Sequence, residues 1–172
     1  EDRVIVNEVA GTTRDSIDSL VKHEGKTYTF VDTAGLKKDK LREEDLEYYS
    51  KIRTLKSIER SDVCLLLIDS SRELTNQDEK IIMTCLEKGA SVCAVFNKID
   101  ILEDDELDEK VQDFLNRTDY LRFVPYVKIS ALKDMGIKRI FRIIEELLDE
   151  RGKKIPDNKL NTLFKELGTN SN

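Results

Sequence analysis

The 172-residue sequence lacks any apolar run near the roughly 18 residues that a membrane-spanning helix needs. Its first residues, EDRVIVNEV, also lack the basic start and long apolar stretch of a secretory signal peptide. The sequence therefore indicates neither a membrane-spanning helix nor export, and we expect a cytoplasmic protein with no membrane partner.

Histidine and cysteine are scarce: the chain has one histidine, His23, and three cysteines with no C-x-x-C spacing. A Ser-His-Asp or Cys-His set cannot be assembled around one histidine in a predicted strand, so nothing supports nucleophilic catalysis. Cys64 and Cys93 each lie inside an apolar run. We expect buried, reduced thiols here, and not a metal site or a disulfide.

Positive charge is also in deficit, since the formal net charge is −6. A free-standing nucleic-acid binder needs a positive surface to neutralise phosphates, so this class is disfavoured. One local basic segment, LKKDKLR at 36–42, leaves docking on RNA open, although a solvated loop is the simpler interpretation.

A phosphate-binding P-loop, G-x-x-x-x-G-K-[ST], is missing as well. Gly25, Lys26 and Thr27 supply its last three letters, but Leu20 stands where the first glycine is required. The segment also falls in a predicted hairpin turn with no helix after it. We therefore assign it no role in phosphate binding.

What the sequence does contain is an alternation of strands and helices. Three continuous apolar runs are typical of strands that are covered on both faces of a parallel sheet: DVCLLLID (62–69), SVCAVFN (91–97) and FVPYVKIS (123–130).

Helical spacing follows each of these runs. One helix is predicted over 75–89, with Thr75 and Asp78 as its N-terminal cap, and a second over 104–117. A third, from 136 onward, places on one face Ile137, Ile140, Phe141, Ile144, Leu147 and Leu148. Residues 15–32 predict an antiparallel hairpin that turns at Glu24 and Gly25, so we expect an α/β protein with a mixed sheet.

Polar segments follow three predicted strands, where open α/β sheets bind their ligands. In DTAG (32–35), Asp32 could hold a hydrated Mg²⁺, and the Gly35 N–H could approach a terminal phosphate. The other two segments are NKID (97–100) and SAL (130–132).

The NKID segment suits a guanine base. The Asp100 carboxylate can accept both the ring N–H and the exocyclic amine of guanine, which adenine does not offer. Lys98 would lay its aliphatic stem along the base, and Asn97 would tie neighbouring loops together. The backbone of Ser130 and Ala131 would offer an N–H to the guanine carbonyl.

Four segments of the sequence resemble motifs of translation-factor-class GTPases of the TrmE-Era-EngA-like group. The segment GTTRD (11–15) resembles switch I, DTAG resembles switch II, NKID resembles the guanine-specificity motif and SAL resembles the base-contacting motif, and they occur in that order. The sequence from DTAGLKKDK to SSRELTNQD is similar to the second GTPase domain of the Der (EngA) family. The resemblance implies an incomplete GTPase domain over 1–152. Residues 153–172 would then be a linker or short helix leading toward a KH-like domain.

The resemblance also implies a fold and a set of residue roles. The fold would be a three-layer P-loop NTPase-like domain, with a mostly parallel mixed sheet and helices on both faces. It would lack the first strand, P-loop and first helix, so we expect the natural protein to begin further upstream. Thr13, with Thr12 as the competing choice, would coordinate Mg²⁺ and sense the γ-phosphate. Asp32 would hold the metal through water, and the phosphate-binding segment would be Asp32, Thr33, Ala34 and Gly35.

Leu36 stands where many GTPases have a glutamine that orients the attacking water. The resemblance implies that catalysis depends instead on stabilising the charge of the phosphoryl group, by K⁺ in this family. The implied activity is hydrolysis of GTP to GDP and phosphate, with the large ribosomal subunit as partner. Two alternatives remain open: a nucleotide-free docking module, and a fragment of another Era-like or TrmE-like GTPase.

Overall fold

The computed structural model of the chain describes residues 18–31, 54–154, 156–159 and 161–162, and the backbone of residues 5–8. Its strands are β1 (Ile5–Glu8), β2 (Ser19–His23), β3 (Lys26–Phe30), β4 (Val63–Asp69), β5 (Ser91–Asn97) and β6 (Tyr126–Lys128). Its helices are α1 (described over 54–60), α2 (Asn76–Glu87), α3 (Asp104–Asn116) and α4 (Ile137–Gly152). Two 3₁₀ helices cover Ile99–Ile101 and Asp119–Phe123.

The described strands form two sheets of three strands each. One is antiparallel in the order β1, β2, β3, and the other is parallel in the order β4, β5, β6. The predicted α/β class is confirmed. Within the described residues, however, the antiparallel and parallel strands expected in one mixed sheet belong to separate sheets.

The predicted hairpin is confirmed, with β2 and β3 paired from Ser19↔Phe30 to His23↔Lys26. Its two turn residues, Glu24 and Gly25, have φ of 47° and 77°. A two-residue turn with both φ values positive matches the right-handed twist of the paired strands. Gly25-Lys26-Thr27 is therefore the end of a turn and the start of a strand, as expected.

Helix α2 begins at the predicted cap. The Thr75 side chain accepts from the Asp78 backbone N–H at 3.3 Å, and the Asp78 carboxylate accepts from the Thr75 N–H at 2.9 Å. This reciprocal pair satisfies two N–H groups that would have no partner inside the helix. At the other end the chain turns at Gly89, whose φ is 69°.

Strand β5 is the centre of the core because its two faces meet different helices. Val92, Ala94 and Phe96 belong to one buried cluster, together with residues of α1, α2 and α3. Cys93 and Val95 belong to a second cluster, against which α4 packs with Ile137, Ile140, Ile143 and Leu147. The parallel sheet therefore has helices on both faces, as predicted.

The hairpin rests on the same helix through Phe141. His23 stacks on the Phe141 ring with centroids 4.1 Å apart, and the Tyr28 ring lies 5.2 Å from it. The Tyr28 hydroxyl donates to Glu145 at 2.6 Å, and Lys26 pairs with the same carboxylate. Helix α4 is thus shared by both sheets.

Strand β6 is shorter than the predicted run of 123–130. Phe123 ends a 3₁₀ helix, and pairing with β5 as a strand begins at Tyr126, directly after Pro125. Proline has no N–H to give to a ladder, although the Pro125 carbonyl still accepts from Ala94 at 2.9 Å. None of the helices in the described part of the chain is long and apolar enough to cross a bilayer.

Candidate functional site

The carboxyl ends of the parallel strands bring three loops to one edge of the sheet. Asp69, the last residue of β4, is the register partner of Asn97, the last residue of β5. Strand β6 ends one residue before Ile129, whose N–H donates to the Phe96 carbonyl at 2.8 Å. The segments 97–100 and 130–132 therefore lie beside each other.

Asn97 ties the two loops together. Its side-chain oxygen accepts from the Lys98 N–H at 2.8 Å and from the Ala131 N–H at 3.0 Å. One side-chain amide thus joins Asn97 to a residue 34 positions later in the sequence. This is the bridging position that the sequence predicted for it.

Lys98 is held by an acidic residue from the neighbouring strand. Its backbone has a φ of 66°, and its ammonium lies 2.6 Å from the Asp69 carboxylate. Asp69 also accepts from the Ser71 N–H at 3.0 Å and the Ser71 hydroxyl at 2.6 Å. The hydrogen bond from Lys98, followed by those from Ser71, holds the pKa of Asp69 far below its usual range.

Asp100 lies in the 3₁₀ turn after Lys98, and its side chain is only 5% exposed. The Ser130 hydroxyl donates to it, and the Lys133 ammonium is 3.8 Å away. The bond from Ser130 is the largest cause that lowers the pKa of Asp100, with Lys133 assisting and burial opposing. Asp100 is therefore a carboxylate at neutral pH, with acceptor capacity beyond the bond from Ser130.

The loop after β6 is closed on itself. The Ser130 N–H donates to the Met135 carbonyl at 3.0 Å, and the Met135 N–H returns a bond of 3.0 Å to Ser130. Of the two backbone N–H groups from which one was expected to serve the base, that of Ser130 is therefore already used within the loop. A guanine carbonyl would have to share the Ala131 N–H with Asn97.

Gly136 makes this closure possible. Its φ is 74°, and a Cβ there would lie 2.4 Å from the Lys128 carbonyl oxygen. Only glycine accepts both the positive φ and the close approach. Helix α4 starts directly after it, so the loop and the helix are fixed together.

The structure thus brings together Asn97, Lys98, Asp100, Ser130 and Ala131. The predicted phosphate and metal residues, Thr13, Asp32, Thr33, Ala34 and Gly35, lie outside the described residues. Sequence reasoning missed Asp69 and Lys133. For Asp69 the signal was present, because in the sequence it is an acidic residue at the end of an apolar run.

Comparisons with known proteins identify the family of the chain. A family described as "50S ribosome-binding GTPase" matches residues 1–98, more than half of the chain. The chain belongs to this family. Two relatives named GTPase Der, from Lachnospira eligens and Agathobacter rectalis, are 38% and 37% identical to it, and each match covers 96% of the chain. The predicted resemblance to the Der family is therefore confirmed.

The chain spans 38% of the length of each of these two relatives. Among solved structures it is similar to Era in complex with MgGDPNP and 16S ribosomal RNA, with 25% identity and a TM-score of 0.63 over 90% of this chain and 51% of that one. A probable GTP-binding protein engB has a TM-score of 0.58 at 20% identity, covering 83% of this chain and 86% of its own. This second likeness shows the fold alone.

Proposed function

We propose that this chain supplies the guanine-recognition loops and the switch segments of a GTP-hydrolysing protein that acts in assembly of the large ribosomal subunit. The observation that carries the proposal is Asp100, an ionised and nearly buried carboxylate at the edge where the loops after β5 and β6 meet. A charge in that position needs donors, and a guanine base offers two side by side.

The surrounding contacts support guanine over adenine. Asp100 would accept from the guanine ring N–H and exocyclic amine, while the Ser130 hydroxyl keeps the carboxylate oriented. Asp69 fixes the Lys98 head group, which leaves the aliphatic stem of that lysine to lie along the base. Adenine would present an acceptor where guanine has its ring N–H, so one acceptor would face another.

The switch part of the proposal rests on connectivity. The β2–β3 hairpin spans most of the chain between segment 11–15 and segment 32–35, so movement of one segment can be transmitted to the other through paired strands. Thr13 and Gly35 would be drawn toward a γ-phosphate and released after hydrolysis. This two-state change would alter affinity for a partner.

Magnesium would be held by Thr13 and Asp32, and it would neutralise charge on the β- and γ-phosphates. No group of three or more acidic, histidine or cysteine side chains in the described part of the chain could hold a metal. The similar Era structure contains MgGDPNP, which supports magnesium for the predicted segment. A role for K⁺ stays a prediction.

The partner and the compartment belong to the proposal as well. The description of the family as a 50S ribosome-binding GTPase supports the large ribosomal subunit as partner. The cytoplasm is where that subunit is assembled in bacteria, the source of the similar Der proteins. Direct binding to free nucleic acid is not proposed, because the net charge is −6.

The test is titration of fluorescent GDP, GTP and ADP against the natural full-length protein and its Asp100→Asn variant. We expect guanine nucleotides to bind and ADP not to bind, and Asn to weaken guanine binding by roughly tenfold or more, because a charge-assisted contact is lost. The 1–172 chain alone should bind more weakly, since it contains no P-loop motif.

Asp134→Asn is the matched control. Asp134 is exposed in the neighbouring loop after β6 and has a φ of 54°, which asparagine also adopts readily, so the same chemical change should leave binding unaltered. Equal loss in both variants, or none in Asp100→Asn, would refute guanine recognition by Asp100. Absence of guanine-nucleotide binding by the full-length protein would instead favour the docking-module alternative.

A further inference from the structure

The Asp100 carboxylate, on which the proposed base contact depends, is covered in this structure. Its side chain is only 5% exposed, although it lies in the loop after β5. The cation paired with it is Lys133 of the loop after β6, whose ammonium lies 3.8 Å from the Asp100 Oδ2. A base that donates two hydrogen bonds to this carboxylate needs room in front of it. The group that faces Asp100 therefore decides how easily a base can enter.

The contact between Lys133 and Asp100 is loose. Its length of 3.8 Å exceeds the roughly 2.7–3.2 Å of an N–H···O hydrogen bond, so the two groups attract each other without sharing a proton. By contrast, the Lys98 ammonium lies 2.6 Å from the Asp69 carboxylate. The Lys133 side chain is also 56% exposed. Lys98 is thus fixed by its acidic partner, whereas Lys133 can leave its partner without breaking a hydrogen bond.

The backbone of Lys133 is held in place while its side chain is not. The Lys133 N–H donates to the Ser130 hydroxyl oxygen at 3.1 Å, and Ser130 and Met135 exchange two backbone hydrogen bonds. Rotation of the Lys133 side chain uncovers Asp100 and leaves all of these bonds intact. Such rotamer changes of exposed side chains take picoseconds to nanoseconds, so the loop itself does not need to open.

We propose that Lys133 is a gate residue of the base site, which lowers the affinity for guanine nucleotides because its ammonium occupies the place that the base must take. Guanine enters when the lysine side chain turns toward solvent, and its two N–H groups then replace the ammonium at Asp100. This inference rests on the proposed recognition of guanine by Asp100, and it adds the group of the chain that competes with the base.

The competition follows from what a nearly buried carboxylate requires. Its charge has to be compensated by donors or by a cation, and Lys133 and guanine each meet this need from the same side. The apparent dissociation constant is the intrinsic one divided by the fraction of molecules in which Asp100 is uncovered. Exposed ion pairs shift an equilibrium by about fivefold at most, so the gate lowers affinity by a factor of up to this size.

The sign of the effect separates a gate from general electrostatic attraction. A nucleotide carries negative phosphates, so the loss of a cation near its site by itself slows association and weakens binding. Removal of the Lys133 ammonium should have the opposite result, because it uncovers the carboxylate. A gain in affinity after the loss of a positive charge is therefore the signature of the gate.

The test is binding of fluorescent GDP to the natural full-length protein and to its Lys133→Met variant. Methionine has an unbranched side chain that neither donates a hydrogen bond nor pairs with a carboxylate. We expect the dissociation constant to fall by roughly two- to fivefold. The gain should appear as faster association with little change in dissociation, because Lys133 has already left Asp100 in the complex. Stopped-flow fluorescence measures both rates.

Three further variants give the controls. Lys138→Met removes the same charge from an exposed position near the start of α4, and it should not tighten binding. Lys133→Arg keeps a cation that pairs well with carboxylates, so it should bind GDP no more tightly than the wild type. Introduced together with Asp100→Asn, Lys133→Met should no longer increase affinity, because the neutral amide offers no charge to the ammonium.

The results distinguish failure of the gate from failure of guanine recognition. The gate is wrong if Lys133→Met leaves GDP affinity unchanged or weakens it, or if Lys138→Met or Lys133→Arg tightens binding equally. It is also wrong if the gain from Lys133→Met persists with Asp100→Asn. In each of these cases guanine recognition stands as long as Asp100→Asn alone weakens GDP binding. A wild type that binds no guanine nucleotide would overturn both proposals.

Discussion

The two ends of the parallel sheet carry different chemistry. At the carboxyl end, Asp69, Asn97 and Asp100 are joined to lysine, serine and backbone groups by short polar contacts. At the amino end, Cys64 packs against an apolar cluster that contains Cys85. The first arrangement depends on polar contacts between distant parts of the chain, and the second depends on apolar packing.

The difference shows why one end can be assigned to a ligand. A nearly buried carboxylate that stays ionised is stabilised only by fixed donors, so its neighbours are specified closely. The thiols impose no such demand, because cysteine side chains are readily accommodated in an apolar cluster. If the carboxyl end is closely specified, substitutions there should cost more stability than matched substitutions elsewhere.

The largest expected effect concerns the core under the carboxyl end. Phe96 precedes Asn97, is fully buried, and meets Phe114 edge-on at 5.5 Å. Phe96→Ala should lower the free energy of unfolding by about 4 kcal/mol, measured by chemical denaturation, because it leaves a cavity. Phe123→Ala is the control, since Phe123 is 86% exposed and should change stability little. Similar losses in both would contradict the packing described here.

Substitution of two glycines compares the packing at the two ends of the parallel sheet. Gly136→Ala should cost about 3 kcal/mol or more, because a positive φ alone costs roughly 1–2 kcal/mol and the new Cβ would lie 2.4 Å from the Lys128 oxygen. Gly89→Ala, at the amino end, has a similar φ but no atom within 4 Å of the new Cβ, so only the conformational cost remains. Chemical denaturation of both variants measures the difference. Equal costs would show that the loop at Gly136 is not closely packed.

A smaller effect is expected from the loop bridge. Asn97→Ala removes the acceptor of two backbone N–H groups and should lower stability by about 2 kcal/mol, from roughly 1 kcal/mol for each hydrogen bond. Asn97→Asp keeps an acceptor oxygen and should retain most of that stability. Thermal unfolding of the two variants is the measurement. A loss in Asp as large as in Ala would mean that the amide nitrogen matters more than the oxygen.

The smallest effect should come from the exposed contact between the hairpin and α4. The pKa of Glu145 is lowered, first by Lys26 and then by Tyr28, so its stabilising contribution is present above its ordinary value of 4.5 and is lost as pH falls below it. Burial, followed by Glu145, raises the Tyr28 pKa to about 12, so its contribution is lost as pH rises from 10 toward 12.

The midpoint of thermal unfolding should therefore fall slightly at both low and high pH, and Glu145→Gln should reduce the fall at low pH. Glu146→Gln is the matched control on the next residue, for which no such contact is seen among the described residues. If the fall at low pH is the same in Glu145→Gln as in the wild type, this contact does not contribute to stability.

Much of the fold could be predicted because its signals are local. The run SVCAVFN, the Thr75 and Asp78 cap and the Glu24-Gly25 turn each fix an element through neighbouring residues. The contacts that define the site are not local in this sense. Pairing of Lys98 with Asp69 depends on which strands become neighbours, and spacing in the sequence does not reveal that.

Two strand predictions show the same limit. Strand β1, which pairs with β2, was not expected, since four residues carry too weak a pattern without their partner strand. The run at 123–130 was expected to be one strand, but Pro125 interrupts it, so apolar content overstated its length. Predictions for the segments 11–15 and 32–35 lie outside the described residues and stay predictions.

The most direct test of the central claim is a reversal of base preference at Asp100. Xanthine carries a carbonyl where guanine carries its exocyclic amine, so an asparagine amide can donate to that carbonyl while accepting from the ring N–H. In competition binding with the full-length protein, we expect the wild type to prefer guanosine diphosphate and Asp100→Asn to prefer xanthosine diphosphate, each by roughly tenfold or more. An Asp100→Asn variant that keeps the wild-type preference for guanine would contradict the account.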